Sequence, residues 1–229
     1  MRILHIGSLS LAAVAFVTFP AVATAQEKRF PVLNSLEVQQ LVERAEPGDS
    51  ARLAAHFNAL ADQHSAEAER HSSMAQGFVG NPSRNVGAGM SAHCKRLSAL
   101  NTATAAVLQE LSDYHNRLAS GAPALRPSAG ARFEGGAGAS APTVRDLEDL
   151  AAKAGTRAEH LALHEYFLTL ANRYAGEARQ HSAFAAGVRN TRIEQAAGIH
   201  DRLASVSQDA AAEARAAAEM HKQLANIGR

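Results

Sequence analysis

The chain has 229 residues, with 23 basic and 22 acidic side chains and a formal net charge of +1. This balance creates no field that would attract nucleic acid or an anionic membrane, and no pattern of alternating aromatic and basic residues indicates base stacking. Runs of Val, Ile and aromatic residues are absent after the first 25 residues, while Ala, Leu, Glu, Gln and Arg are abundant. The composition therefore predicts an all-α protein.

Residues 1–25 have the pattern of a secretory signal peptide. Arg2 supplies a positive start, residues 9–19 are apolar, and Ala-Thr-Ala at 23–25 fits a small-x-small cleavage site. We expect a periplasmic or secreted protein that has no membrane span once this segment is removed, since the apolar stretch is short for a bilayer. The alternative is an uncleaved anchor helix.

Two parts of the chain resemble each other. LADQHSAEAERHSSMAQG (60–77) aligns without a gap to LANRYAGEARQHSAFAAG (170–187), and HNRLA (115–119) matches HKQLA (221–225). Self-similarity of this kind is the signature of tandem repeats. The repeats are predicted over 34–119 and 143–225, and the stretch between them, 120–142, is rich in Gly, Ala and Pro, as is typical of a flexible linker.

Each repeat is predicted to contain one short helix followed by two long ones. Helix-start signals occur at Asn34 with Glu37 and at Thr143 with Asp146. The predicted helices are 36–45, 50–78 and 88–118 in the first repeat, then 144–153, 160–188 and 193–224 in the second. Turns are expected at Gly80-Asn81-Pro82 and near Asn190. Together these elements predict an antiparallel up-down-up-down four-helix bundle, built from two tandem helical-hairpin repeats that are each preceded by a short helix.

The predicted seam of the bundle carries polar side chains among its apolar ones. Core positions counted at alternating steps of three and four are mostly Leu, Phe, Met and Ala, which sets the register of each helix. Histidine, glutamate and the only cysteine fall at or next to the same positions. The candidate ligands are His71, Cys94, His181, His200, Glu67, Glu177, His93, His115, His160 and His221.

In an antiparallel hairpin, residues equidistant from the turn face each other, and this rule groups the candidates into two layers. If both turns lie at one end, the first layer comprises His71, Cys94, His181 and His200. Glu67 and Glu177 are then expected about one turn below it, and His93 replaces Cys94 if its helix rotates. The second layer comprises His115, His160, His221 and Ser50.

Imidazole, thiolate and carboxylate are the usual protein ligands of transition metals, and bundle cores are common places to build such sites. The layers predict a metal-binding protein for buffering, delivery or resistance, with Cu or Zn favoured and Fe allowed. Covalent haem is excluded because the chain has no CxxCH motif. The spacing Glu-x-x-x-His is one residue longer than the usual di-iron pattern, which disfavours a dinuclear iron centre.

A second interpretation is a non-catalytic structural or protein-interaction bundle of the cell envelope, whose metal-free polar layers satisfy one another and fix the helix register. No catalytic family motif surrounds Cys94, so enzymatic activity is not expected. A single cysteine cannot form a disulfide within the chain. The long linker would also permit a homodimer in which two chains exchange hairpins.

Overall fold

The structure, a computed structural model, describes residues 32–44, 46–79, 89–121, 149–150 and 154–227. Within these ranges there are five full helices and no strand. They are α1 (Ser35–Arg44), α2 (Pro47–Val79), α3 (Gly89–Ser120), α4 (Arg157–Val188) and α5 (Gln195–Ile227). The all-α class and the bundle of two helical hairpins preceded by a short helix are confirmed, and the observed ends lie within three residues of the predicted ones.

Two helices begin at sequence signals that form reciprocal side-chain caps. The Asn34 side chain accepts from the backbone N–H of Glu37 at 2.9 Å, and the Glu37 carboxylate accepts from the Asn34 N–H at 2.8 Å. Thr156 and Glu159 form the same capping box at the start of α4. These bonds satisfy N–H groups that have no partner inside the helix, which explains why α1 and α4 begin where they do.

The second hairpin turns at Asn190, as predicted. Its φ of 65° lies in the left-handed region, which asparagine tolerates better than most residues. Other sequence predictions fall outside the described residues: the signal peptide at 1–25, the turn at Gly80-Asn81-Pro82, most of the short helix at 144–153, and the linker at 120–142 apart from Ser120, which ends α3, and Gly121.

Hydrogen bonds fix the register of the first hairpin. The Ser98 hydroxyl donates to the backbone carbonyl of Ala68, and the Ser112 hydroxyl donates to that of Ala54, both at 2.8 Å. Both bonds join residues that are equidistant, within half a residue, from a centre near position 83. This is the register that the sequence predicted.

The second hairpin has the predicted register as well. The Nδ1 atoms of His181 and His200 lie 3.1 Å apart, and those of His160 and His221 lie 3.2 Å apart. Both pairs are centred on the turn at Asn190. Pairing within each hairpin is therefore confirmed.

Contacts between the hairpins show how they are oriented. Phe57 lies 5.8 Å from His200, and Phe78 lies 5.9 Å from His221, measured between ring centroids. Residue numbers thus increase together along α2 and α5, so these two helices are parallel. The Arg202–Glu110 ion pair, at 2.6 Å, and the contact between His93 and Glu213 show that α3 and α5 run in opposite directions.

The four long helices consequently run up, down, down and up in chain order. The end of the bundle where α2 ends and α3 begins is called the first-turn end. The opposite end, where α4 turns into α5, is called the second-turn end. The sequence analysis expected both turns at one end. The direction of the second hairpin is therefore opposite to the expected one. The long chain between α3 and α4 permits this direction, because the entropic cost of closing a loop increases only slowly with its length.

The buried apolar residues form two clusters, one toward each end of the bundle. Apolar residues at the first-turn end include Met74, Phe78, Met90, Leu163 and Phe167. Those at the second-turn end include Leu53, Phe57, Val188 and Ile193, and α1 adds Val38 and Leu41 to them. In the part of the chain that the structure describes, no helix is long and apolar enough to cross a membrane.

Candidate metal site

Eight of the ten histidines that the structure describes are buried, each with 8 % or less of its surface exposed. They are His56, His64, His71, His115, His160, His181, His200 and His221. Burial penalises the charged imidazolium, and it is the first cause of the lowered pKa at seven of them: His56, His64, His71, His115, His181, His200 and His221. The core is therefore rich in neutral imidazoles at pH 7.

At the first-turn end, one phenylalanine lies between two histidines, and a third histidine is paired with one of them. The ring of Phe167 stacks on His71, with centroids 6.1 Å apart, and on His221, with centroids 5.6 Å apart. His221 is also paired with His160 through their Nδ1 atoms at 3.2 Å, so one ring donates its N–H and the other accepts. The structure thus groups His71 with His160 and His221.

His71 has an unusual environment within this group. Its side chain is fully buried, and neither ring nitrogen has a hydrogen-bond partner. The nearest carboxylate oxygen belongs to Glu67 and lies 3.9 Å from Nε2, which is too far for a hydrogen bond. Burial, followed by the charges of Arg173 and Arg70, lowers the pKa of His71 to about 3. His71 is therefore a neutral imidazole whose nitrogen lone pair is not used by the protein.

Cys94 lies in the same apolar cluster and is fully buried. Burial, followed by the nearby charge of Glu213, raises the pKa of its thiol to about 12. Such a thiol is protonated at neutral pH and is a poor nucleophile. The environment of Cys94 thus offers no support for thiolate catalysis, while leaving the sulfur available to a metal ion that can displace the proton.

Sequence reasoning overlooked the methionines. Met74 and Met90 are both fully buried in the same cluster as Cys94, and Met220 packs against that cluster from α5. Met1 is the only other methionine in the chain. Met74 and Met90 are seam positions, one helical turn from His71 and Cys94 respectively, so the spacing alone could have identified them as candidate sulfur ligands.

The second-turn end holds a different set of histidines. His181 and His200 are paired through their Nδ1 atoms at 3.1 Å. His115 stacks on Phe57 with centroids 5.5 Å apart, and the edge of Phe57 also contacts His200. This end contains imidazoles and phenyl rings, and no sulfur atom belongs to its apolar cluster among the described residues.

The predicted layers are therefore corrected. His71 and Cys94 lie at the first-turn end with His160 and His221, whereas His181 and His200 lie at the second-turn end with His115. The facing pairs are right, but the second hairpin is inverted, which exchanges its two ends relative to the first hairpin. A single site that contains His71, Cys94, His181 and His200 is not formed.

The carboxylates lie near the middle of the bundle and are matched with cations. Glu67 forms ion pairs with Arg70 and, at 3.4 Å, with Arg173. Glu177 lies 3.5 Å from Arg173 and 3.6 Å from His64. Because these carboxylate oxygens are engaged by arginines, they are less available to a metal ion.

The remaining candidate, His93, is only partly buried and contacts Glu213 through Nδ1. Within the described residues, no group of three or more His, Cys, Asp or Glu side chains is arranged to hold a metal ion.

Comparison with known proteins identifies no relative. No protein-family model matches the chain, and no curated protein or solved structure matches it either. The function must therefore be argued from the residues themselves.

Proposed function

We propose that this chain is an exported helical bundle that binds a transition metal ion at its first-turn end, for metal buffering, delivery or resistance. The export signal read in residues 1–25 supports a periplasmic or secreted location. The bundle supplies a rigid frame, and the ligands come from facing helices, as in other metal sites of bundle cores.

The observation that carries the proposal is the state of His71. A buried polar group without a hydrogen bond destabilises a fold by about 1–3 kcal/mol, and both nitrogens of this ring are unbonded. A metal ion bound at the ring nitrogen that carries the lone pair would remove the part of that penalty that comes from the unused acceptor. Cys94 is also fully buried and faces His71 in the register of the first hairpin, so it supplies the second ligand.

The alternative is a metal-free bundle for a structural or interaction role. The histidine pairs favour it, because His181 with His200 and His160 with His221 satisfy Nδ1 atoms without any ion. Polar pairs of this kind can set the register of a bundle. This alternative leaves the His71 nitrogens unexplained.

The test is metal retention by the full-length chain, expressed with its own N-terminus and purified. Separate samples are loaded with Cu, Zn, Fe and Mn and dialysed, and metal per chain and the melting temperature are measured. We expect one ion to be retained and to raise the melting temperature, since a ligand that binds only the folded state stabilises it.

The repeat provides a matched pair of variants. His71→Gln and His181→Gln make the same change at equivalent positions of the two repeats, one at each end of the bundle. We expect His71→Gln to abolish retention and His181→Gln to preserve it. Retention of no metal, with no change in melting for any of the four ions, would refute the proposal in favour of the metal-free bundle.

A further inference from the structure

The first hairpin brings four side chains with nitrogen or sulfur donors to two adjacent levels of the bundle, one helical turn apart. Its register, set by the bond from Ser98 to Ala68, places His71 opposite Cys94. Met74 lies one turn beyond His71 on the same face of α2, and Met90 lies one turn before Cys94 on the same face of α3. These two methionines are therefore level with each other as well.

The chemistry of this set is soft. Thioether, thiolate and imidazole ligands select Cu(I), whereas carboxylate and carbonyl oxygens suit harder cations. All four side chains are fully buried, and Met74, Met90 and Cys94 belong to one apolar cluster. The carboxylate nearest to His71, that of Glu67, is already paired with Arg70 and Arg173. Because His, Cys, Asp and Glu form no group of three in the described part of the chain, the two thioethers are the donors that would complete a site around His71 and Cys94.

The charge also favours a monovalent ion. A buried site tolerates a net charge poorly, since removing an ion from water is costly unless it is neutralised. On binding, the Cys94 thiol would release its proton to solvent and become a thiolate. Cu(I) bound to one thiolate and three neutral ligands leaves no net charge, whereas Zn(II) bound to the same set leaves a charge of +1.

We propose that the metal ion is Cu(I) and that it binds between α2 and α3 at the first-turn end. Its ligands are His71, Met74, Met90 and Cys94. This inference rests on the proposed metal-binding function and specifies the ion and the two thioether ligands. Phe78 and Phe167, which belong to the same apolar cluster, would keep water from the site.

The second repeat shows that the sulfur set belongs to one end only. Its equivalents of Met74 and Met90 are Phe184 and Ala196, and its equivalent of Cys94 is His200. The imidazole is kept as His181, which is already bonded to His200. The side chains of either repeat can pack the core at these levels. The second repeat therefore serves as an internal comparison that has no sulfur.

The experiment measures Cu(I) affinity of the full-length chain by competition with the chromogenic chelator bicinchoninate, with ascorbate keeping copper reduced. The variants are Met74→Leu and Met90→Leu, which conserve side-chain volume and should preserve the fold. We expect each to weaken Cu(I) binding at least about tenfold, the scale at which even an outer-shell change affects a metal site. The matched control is Phe184→Leu, at the position of the second repeat that corresponds to Met74, and it should leave affinity unchanged.

A measurement on the unmodified chain guards against variants that fail to fold. X-ray absorption at the copper edge should show sulfur neighbours together with one imidazole. If copper binds with nitrogen and oxygen neighbours only, or if the leucine variants bind Cu(I) like the unmodified chain, the thioether site is refuted while metal binding itself survives. If no metal is retained in any form, both proposals fail together.

Discussion

Mild acid should unfold this protein, and the buried histidines at the second-turn end determine how much stability is lost. Four histidines there lie outside the proposed metal site and have a pKa lowered mainly by burial. The folded-state pKa is about 4 for His56 and His115 and about 3 for His181 and His200. An exposed histidine in the unfolded chain has a pKa of about 6.5.

Between these values the unfolded state binds protons that the folded state does not, so stability decreases as the pH falls below about 6.5. At pH 5 each of the four histidines destabilises the fold by about 2 kcal/mol, since one pKa unit corresponds to about 1.4 kcal/mol. The four together amount to about 8 kcal/mol. A domain has about 5–15 kcal/mol of stability in total, so we expect unfolding near pH 5.

Neighbouring charged groups do little to raise the lowered pKa values of these four histidines. The other groups that act on His181 and His200 are themselves histidines, namely His56, His64 and His115, and each lowers the pKa of its neighbour further. The one carboxylate that acts on any of the four is Glu37, which partly offsets burial at His56. Glu177 acts on His64 instead. Protonating one member of this group thus makes protonation of the next more costly.

The assay is urea unfolding and thermal melting at pH 8, 7, 6 and 5, in the presence of a chelator so that metal binding does not contribute. The variant His181→Gln/His200→Gln removes two of the four groups, and the loss of stability between pH 7 and 5 should be about 4 kcal/mol smaller than in the unmodified chain. His164→Gln, at a partly exposed histidine, is the control and should keep the full loss. A melting temperature that is constant from pH 8 to pH 5 would refute the reasoning, because it would mean that these imidazoles are not buried as neutral groups.

Two further changes test the central carboxylate and a helix cap. Glu67→Gln should destabilise the bundle by about 1–3 kcal/mol in urea unfolding, because it leaves Arg70 and Arg173 without their buried partner; exposed Glu69→Gln is the control, and an equal effect of both would contradict this role. Thr156→Ala should cost about 1 kcal/mol by removing the cap of α4, whereas Thr156→Ser should restore most of it; an unchanged urea midpoint in the alanine variant would argue against the cap.

The sequence by itself determined the features that depend on local geometry. Helical periodicity located the long helices, and the capping pair of Asn34 and Glu37 located the start of α1. Facing pairs such as His181 with His200 followed from the turn at Asn190, because the two arms of a short hairpin can pair in few ways. The same periodicity placed seven of the eight buried histidines on the seam, whereas His56 lies next to a seam position and its burial was not predicted.

Only the tertiary structure decided which pairs of residues share an end of the bundle. Between α3 and α4 the chain is long enough to reach either end, so no local signal sets the direction of the second hairpin. That direction separates His71 from His181 and places His71 beside Phe167 and His221. Both ring nitrogens of His71 lack a hydrogen bond, and the ring stacks on Phe167, which comes from a helix far away in the chain.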